Sequence, residues 1–143
     1  MLSNSSKYAL KAVLYLAVHS NINHKIGAKD LSGPINVPQS YLSKLLQELG
    51  RHHMVSSTKG PNGGYYLSDK NRERYLMEII NLIDGDDRLT SCMISLERCN
   101  ADYPCPIHKL LGKTKSNFLK QLEKTTIDDL VSDIEKGRSF LPL

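Results

Sequence analysis

Cysteine is scarce in this sequence: there are only three, and all lie between residues 92 and 105. An odd number of cysteines in one short stretch argues against the disulfide framework of a small secreted protein. The longest apolar run, near the start, covers only about ten residues and is too short to cross a bilayer. No basic segment and cleavage site frame it as a secretory signal, so we expect a cytoplasmic protein whose thiols stay reduced.

The sequence also lacks the motifs that would indicate an enzyme. KGPNGG, at residues 59–64, matches neither the Walker nor the dinucleotide-binding spacing. A cysteine hydrolase needs a Cys–His pair, which Cys105 and His108 could form, but the two further cysteines nearby favour a ligand set. We therefore predict that the protein is not an enzyme.

Negative charge is missing from the beginning of the chain, where no Asp or Glu precedes Asp30. Residues 1–74 contain ten Lys or Arg and four Asp or Glu, whereas residues 75–143 contain nine and eleven. A basic first half indicates contact with a polyanion, and the alternative is a solvated surface with a chance asymmetry.

The first half contains three helical patterns. Ser5 or Ser6 can cap a helix through SKYALKAVLYLAVHS, and Gly33 and Pro34 should end a second helix in IGAKDLSGP. Pro38 suits the first turn of the third, PQSYLSKLLQELGRHH. Its expected inward residues are Tyr41, Leu42, Leu45, Leu46 and Leu49, and its outward residues are Gln39, Ser40, Ser43, Lys44 and Gln47.

The outward face of the third helix is polar and lightly basic, which suits hydrogen bonding to base edges in a major groove. Taken alone, however, this pattern is better explained by an ordinary amphipathic helix with a polar outer face. MVSSTKGPNGGYYLS follows and predicts strand, tight turn and strand, with Lys59 at the turn. A basic hairpin directly after a helix–turn–helix is the arrangement of a winged helix, and we assign residues 1–74 to a DNA-binding domain of this kind.

Residues 75–143 should form a sensor loop, at 88–107, and dimerisation helices. YLMEIINLIDG predicts a short helix, and IHKLLGKTKSNFLKQLEKT predicts a long one with most of its apolar residues on one side. A second subunit would cover that side, and packing on the chain's own winged domain is the alternative. Thr126 should cap a last helix. The predicted fold is therefore mainly α with a small β-hairpin.

The stretch CMISLERCNADYPCPIH holds Cys92, Cys99, Cys105 and His108. Structural zinc sites favour closely paired ligands, whereas here only the last two residues are close in sequence. Wide spacing on a long loop suits an iron–sulfur cluster, because thiolates are its usual ligands and imidazole can replace some of them. Zinc binding, direct thiol sensing and purely structural cysteines remain alternatives.

Three motifs carry a family resemblance: KYALKAVLYLA, VPQSYLSKLLQELGRHHMVSSTKGPNGGYYLS and TTIDDLV. With the spaced cysteines, they resemble the Rrf2 family of bacterial winged-helix transcription regulators, above all its iron–sulfur and nitric-oxide-responsive members. The resemblance implies a homodimer on a partly palindromic DNA operator, with recognition helices in major grooves and wings in flanking minor grooves. The predicted DNA-contacting residues are Gln39, Ser40, Ser43 and Lys44 in the helix, and Lys59, Gly60 and Pro61 in the wing.

The resemblance also implies a 2Fe–2S cluster on Cys92, Cys99, Cys105 and His108. Members with a 4Fe–4S cluster use an acidic residue of the first helix, where this chain has Lys7. The chain departs from the iron–sulfur members in three ways. The first cysteine gap is one residue longer than usual, and Ser43 and Lys44 replace Glu and Gln, so we expect a different operator preference.

The sequence thus predicts a transcription regulator whose operator affinity is set by an iron–sulfur cluster that senses iron–sulfur status, redox state or nitric oxide. The alternative is a zinc-binding or thiol-based redox regulator with the same winged helix and without a cluster.

Overall fold

A computed structural model of the chain describes residues 2–94, 96 and 100–143. These residues form helices and one two-stranded antiparallel sheet, as predicted. In chain order the elements are α1 (Asn4–His19), α2 (Ala28–Ile35), α3 (Gln39–Arg51), β1 (Ser56–Thr58), β2 (Gly64–Tyr66), α4 (Asp69–Arg72), α5 (Leu76–Asp84), α6 (Asp87–Thr90), α7 (Pro106–Lys124) and α8 (Ile127–Glu135).

Helix α1 lies at the centre and contacts α2, α3, α5 and α8. Its cap is Ser3, and the expectation of Ser5 or Ser6 was wrong. The Ser3 side chain accepts a hydrogen bond from the backbone N–H of Ser6 at 3.0 Å. Ser3 also donates its own N–H to Asp84 at 3.2 Å, so the end of α5 helps to fix where α1 begins.

Helix α2 continues through Pro34, which was expected to end it. Proline removes a helical hydrogen bond, but in the last turn of a short helix only one such bond is lost. Asn36 then ends the helix in the left-handed conformation, with φ of 53°. Its N–H donates to Gly33 and that of Val37 donates to Ser32, which satisfies the last carbonyl groups.

Helix α3 buries the leucines of its predicted inward stripe, but Tyr41 was wrongly assigned to that stripe. Its side chain is 41% exposed. The ring packs edge-on against Tyr8 at a centroid distance of 5.9 Å, and its hydroxyl hydrogen-bonds to Ser5. Tyr41 therefore joins the starts of α1 and α3 at the surface. The buried members are Leu42, Leu45, Leu46 and Leu49.

The hairpin pairs Ser56 with Tyr66 and Thr58 with Gly64. Ile26, in the connection before α2, exchanges two backbone hydrogen bonds of 2.9 Å with Tyr65. Strand β2 is therefore hydrogen-bonded to β1 on one side and to Ile26 on the other. The turn between β1 and β2 projects from this fixed base.

A buried Asn71 in α4 ties three parts of the winged region together. Its amide nitrogen donates to the carbonyl oxygen of His53 at 2.8 Å, and its Oδ1 accepts from Ser56 Oγ at 2.7 Å. The Ser68 N–H donates to the same oxygen at 2.9 Å. This side chain holds the turn after α3, where His53 has φ of 59°, against the base of the hairpin.

The hydrophobic core extends across the predicted domain boundary between residues 74 and 75. The division of the chain into two domains at that point stays a prediction. Ile79 and Ile80 of α5 and Ile127 and Val131 of α8 are as fully buried as Val13 of α1. Within the described parts of the chain, no helix is both long and apolar enough to cross a membrane.

Candidate functional site

The predicted reading face of α3 is open to solvent at its N-terminal end. Gln39, Ser40 and Lys44 are exposed and Ser43 is half-buried. Because the leucines on the opposite side are buried, this face is held outward by the core. A helix N-terminus carries partial positive charge, and Lys44 adds a full one, so the face can meet phosphates as well as base edges.

The turn of the hairpin places Lys59, Gly60 and Pro61 together in solvent. The Gly63 N–H donates to the Gly60 carbonyl at 2.9 Å. A Cβ on Gly63 would be only 2.3 Å from the carbonyl oxygen of Thr58, so no other residue fits this turn without rearrangement. The structure therefore presents the predicted wing residues at the tip of a tight, defined loop.

Sequence reasoning missed Lys25, whose ammonium lies 5.9 Å from the centre of the Tyr66 ring. This contact adds a positive charge at the base of the wing, in addition to that of Lys59 in the turn. Lys25 and Tyr66 come from separate segments, and no local pattern relates them. Their proximity results from the pairing of Ile26 with Tyr65.

Cys105 is the N-cap residue of α7, and Pro106 follows it in the first turn. The Cys105 sulfur accepts a hydrogen bond from the backbone N–H of His108 at 3.4 Å. The spacing Cys-x2-His therefore has a structural basis: the sulfur caps the helix, and the imidazole is carried one turn along it. Anionic groups are favoured at such a helix start.

A cavity of about 320 Å³ extends along α7, from its start as far as Glu123, and is bordered on the other side by the segment after α6. Cys92, Cys105 and His108 all line it, and each is half-buried. The remaining walls are largely apolar and include Met93, Ile94, Ile107 and Leu111. Three of the four predicted ligands thus border one space, and the fourth, Cys99, lies outside the described residues.

The donor set fits an iron–sulfur cluster in kind, because two thiols and an imidazole face one largely apolar space. Among residues 2–94, 96 and 100–143, however, no three His, Cys, Asp or Glu side chains approach closely enough to hold a metal ion.

Lys115 is a residue of the cavity that the sequence did not indicate. It lines the same cavity, and its ammonium donates hydrogen bonds to the backbone carbonyls of Thr90, at 3.1 Å, and of Ser91. These two carbonyls immediately precede Cys92. The contact therefore joins the middle of α7 to the segment that carries the first predicted ligand.

Helix α7 packs on α5 but leaves part of its apolar side uncovered. Leu110 is 71% exposed, Phe118 and Leu119 are partly buried against the core, and only Leu122 is buried. An exposed leucine beside a row of apolar neighbours is compatible with the predicted subunit contact.

Comparison with known proteins gives a consistent assignment. Residues 2–133 match the Rrf2 family, described as an iron-dependent transcriptional regulator. The chain is 26% identical over 141 residues to the regulator NsrR of Bacillus licheniformis, an alignment that covers 98% of both chains. It is 29% identical over 134 residues to IscR of Pectobacterium atrosepticum, covering 94% of this chain and 80% of that one.

Solved structures show the same fold. CymR, the global cysteine regulator of B. subtilis, superposes with a TM-score of 0.71 at 23% identity, over 92% of this chain and 96% of that one. T. potens IscR superposes with a TM-score of 0.70 at 22% identity, over 99% and 93%. The predicted likeness to IscR and NsrR is confirmed, and the CymR match establishes the fold alone.

Proposed function

The chain belongs to the Rrf2 family of DNA-binding transcriptional regulators, and from this premise we propose that an iron–sulfur cluster, of the 2Fe–2S type, sets its affinity for DNA. The observation that carries the proposal is that Cys92, Cys105 and His108 line one cavity at the start of α7. Cys99, from the same stretch, supplies the fourth ligand. We place the protein in the cytoplasm, where thiols stay reduced.

The DNA contacts follow from the two exposed surfaces. Ser40, Ser43 and Lys44 read bases, with Gln39 beside them at the positive end of α3. Lys59 meets phosphate or the minor groove from the wing, and Gly60 and Pro61 shape the tip so that backbone can approach closely. The exposed part of α7 around Leu110 packs against a second copy of the chain, which gives two reading heads for a partly palindromic operator.

Cys92, Cys99, Cys105 and His108 would hold the cluster, which would supply a redox-active iron centre. Gain or loss of the cluster would change how firmly these four ligands are held. The chain's own residues carry this change to the DNA. The cavity borders α7, which packs on α5; α5 packs on α1, and α1 packs on α3. A shift of α7 therefore reaches the reading helix through one continuous series of packed helices.

Anaerobic purification followed by iron and sulfide analysis and a visible spectrum tests the proposal. We expect iron and sulfide in equal amounts, two of each per subunit, with a spectrum that is lost when Cys92, Cys99 or Cys105 is replaced by alanine. DNA affinity, measured by fluorescence anisotropy at fixed salt, should differ between the cluster-bound and cluster-free protein.

Three outcomes would contradict the proposal. Stoichiometric zinc without sulfide, or protein without metal whose DNA affinity responds to thiol oxidation, would support the alternative regulator without a cluster. Failure to bind any duplex at low salt would contradict the DNA-binding assignment of the exposed faces.

A further inference from the structure

The imidazole of His108 occupies space that a side chain at position 112 would fill. A Cβ built on Gly112 would lie 3.0 Å from Cδ2 and 3.1 Å from Nε2 of His108. The geometry of a helix explains the conflict, because each Cα–Cβ bond points toward the N-terminus and covers the turn before it. Gly112 and His108 are one turn apart, so the missing side chain leaves room for the ring.

Backbone conformation does not require glycine at this position. Gly112 lies in the interior of α7, and its φ is outside the left-handed region. The three heavy atoms nearest to its missing Cβ all belong to the His108 ring. Glycine is a poor helix former, so alanine would favour the helix itself. Among the described residues, the contact with the His108 ring is the closest approach to position 112, and it gives a structural reason for glycine there.

We propose that Gly112 is a positioning residue for His108: it leaves room for the Cδ2–Nε2 edge of the imidazole beside α7 and thereby sets the ring's orientation at the cavity shared with Cys92 and Cys105. This inference rests on the proposed function, because the ring's orientation matters chemically only if His108 is a ligand. Gly112 itself lines the same cavity and brings no donor atom.

Two substitutions test this role at different strengths. Gly112→Ala introduces a methyl group against the ring, which must move by a few tenths of an ångström. Gly112→Val adds branches that take the space of the ring altogether. The matched control is Gly50→Ala in α3, where a new Cβ would meet only Val55, at 3.9 Å. His108→Ala serves as the reference for complete loss of the imidazole.

Three measurements separate positioning from stability. Thermal unfolding of the metal-free protein should show a midpoint for Gly112→Ala at or above that of the wild type. Imidazole ¹H–¹⁵N resonances of metal-free protein should shift for both Gly112 variants. After anaerobic reconstitution, Gly112→Val should lose its visible spectrum on the order of 10-fold faster than the wild type, because supporting residues typically contribute 10–100-fold to metal affinity. We expect a similarly fast loss in His108→Ala. The rate of cluster loss in Gly112→Ala should lie between the rates of the wild type and Gly112→Val. Gly50→Ala should match the wild type in the imidazole resonances and in the cluster lifetime.

The outcomes are distinguishable. A wild-type protein that binds no iron and sulfide overturns the proposed function and this inference with it. A wild-type cluster whose spectrum and lifetime are unchanged in Gly112→Ala, with unshifted imidazole resonances, overturns only the positioning role. If Gly112→Val does not fold, the alanine variant decides, because alanine is a better helix former than glycine.

Discussion

The side-chain ammonium of Lys115 donates a hydrogen bond of 3.1 Å to the backbone carbonyl of Thr90, the last residue of α6. A second bond goes to the Ser91 carbonyl, next to Cys92. The end of a helix carries partial negative charge, so a cation is favoured there. One side chain of α7 thus holds the backbone that leads into Cys92.

Replacing Lys115 by methionine should release that segment while keeping a similar apolar volume. We expect faster amide hydrogen exchange at residues 89–92 in the metal-free protein, because the carbonyl groups lose two charge-assisted hydrogen bonds. Loss of the cluster should also be faster. Lys113→Met, at an exposed position of the same helix, is the control. Equal exchange in the two variants would show that Lys115 does not hold the segment.

Replacing Asn71 by alanine should destabilise the winged region. The change leaves the His53 carbonyl and the Ser56 hydroxyl without their partner, and a buried polar group without a hydrogen bond costs about 1–3 kcal/mol. Urea unfolding followed by circular dichroism measures the loss. Asn62→Ala, at the exposed wing turn, should be close to neutral. Similar stabilities for both variants would contradict the anchoring role of Asn71.

The Asp84 carboxyl should make stability depend on pH in the acid range. Burial tends to raise the pKa of Asp84, but hydrogen bonds from Ser3 and the charge of Arg88 outweigh it and hold the pKa below its ordinary value. A carboxyl whose pKa is lower in the folded state stabilises the fold above its unfolded pKa, near 4, and this contribution is lost as the pH falls further. Asp84→Asn should therefore reduce the free energy of unfolding at pH 6 more than at pH 3. Urea unfolding of the wild type and the variant at both pH values measures this difference, and an equal loss at pH 6 and pH 3 would contradict the role of the Asp84 charge.

The helices and the hairpin could be predicted because their signals are local. Leucine periodicity in α3, the glycine-rich turn after Lys59 and the Thr126 cap of α8 each depend on residues close in sequence. The start of α1 could not be predicted in this way, because Asp84, far along the chain, accepts a hydrogen bond from the backbone N–H of Ser3. Tyr41 was misassigned for the same reason, since its partners Tyr8 and Ser5 belong to another helix.

In the candidate metal site, too, relationships between residues close in sequence could be predicted and contacts between separate elements could not. The Cys-x2-His spacing indicated that Cys105 and His108 act together, and the helix cap gives this spacing a physical basis. The contributions of Lys115 and Gly112 depend on how α7 packs and on where one ring lies, which no spacing encodes. Local helix propensity says of Gly112 only that glycine weakens a helix by about 1 kcal/mol relative to alanine.

Two lysines should affect DNA binding in different ways. Lys44→Ala should weaken binding by about 1–3 kcal/mol and relax the preference at one base position, because lysine prefers the acceptors of guanine. Lys59→Ala should weaken binding to all sequences and lower the slope of log K against log salt by about 0.9, the value expected for one phosphate contact. Anisotropy titrations at several salt concentrations measure both effects. Lys136→Ala, exposed beyond α8, should leave affinity and slope unchanged, and the same loss in all three variants would indicate only a general effect of net charge.

Replacing His108 by cysteine should keep a cluster and lower its reduction potential. A thiolate brings negative charge that favours the oxidised irons, whereas a neutral imidazole does not, and histidine ligation accordingly raises the potential of 2Fe–2S centres. The backbone N–H of residue 108 can still donate to the Cys105 sulfur, so the start of α7 should be preserved. Redox titration followed by visible spectroscopy measures the shift, and far-ultraviolet circular dichroism checks the fold. His24→Cys, at an exposed position far from the cavity, controls for the added thiol. An unchanged potential in His108→Cys, together with an unchanged spectrum in His108→Ala, would mean that the fourth ligand lies elsewhere.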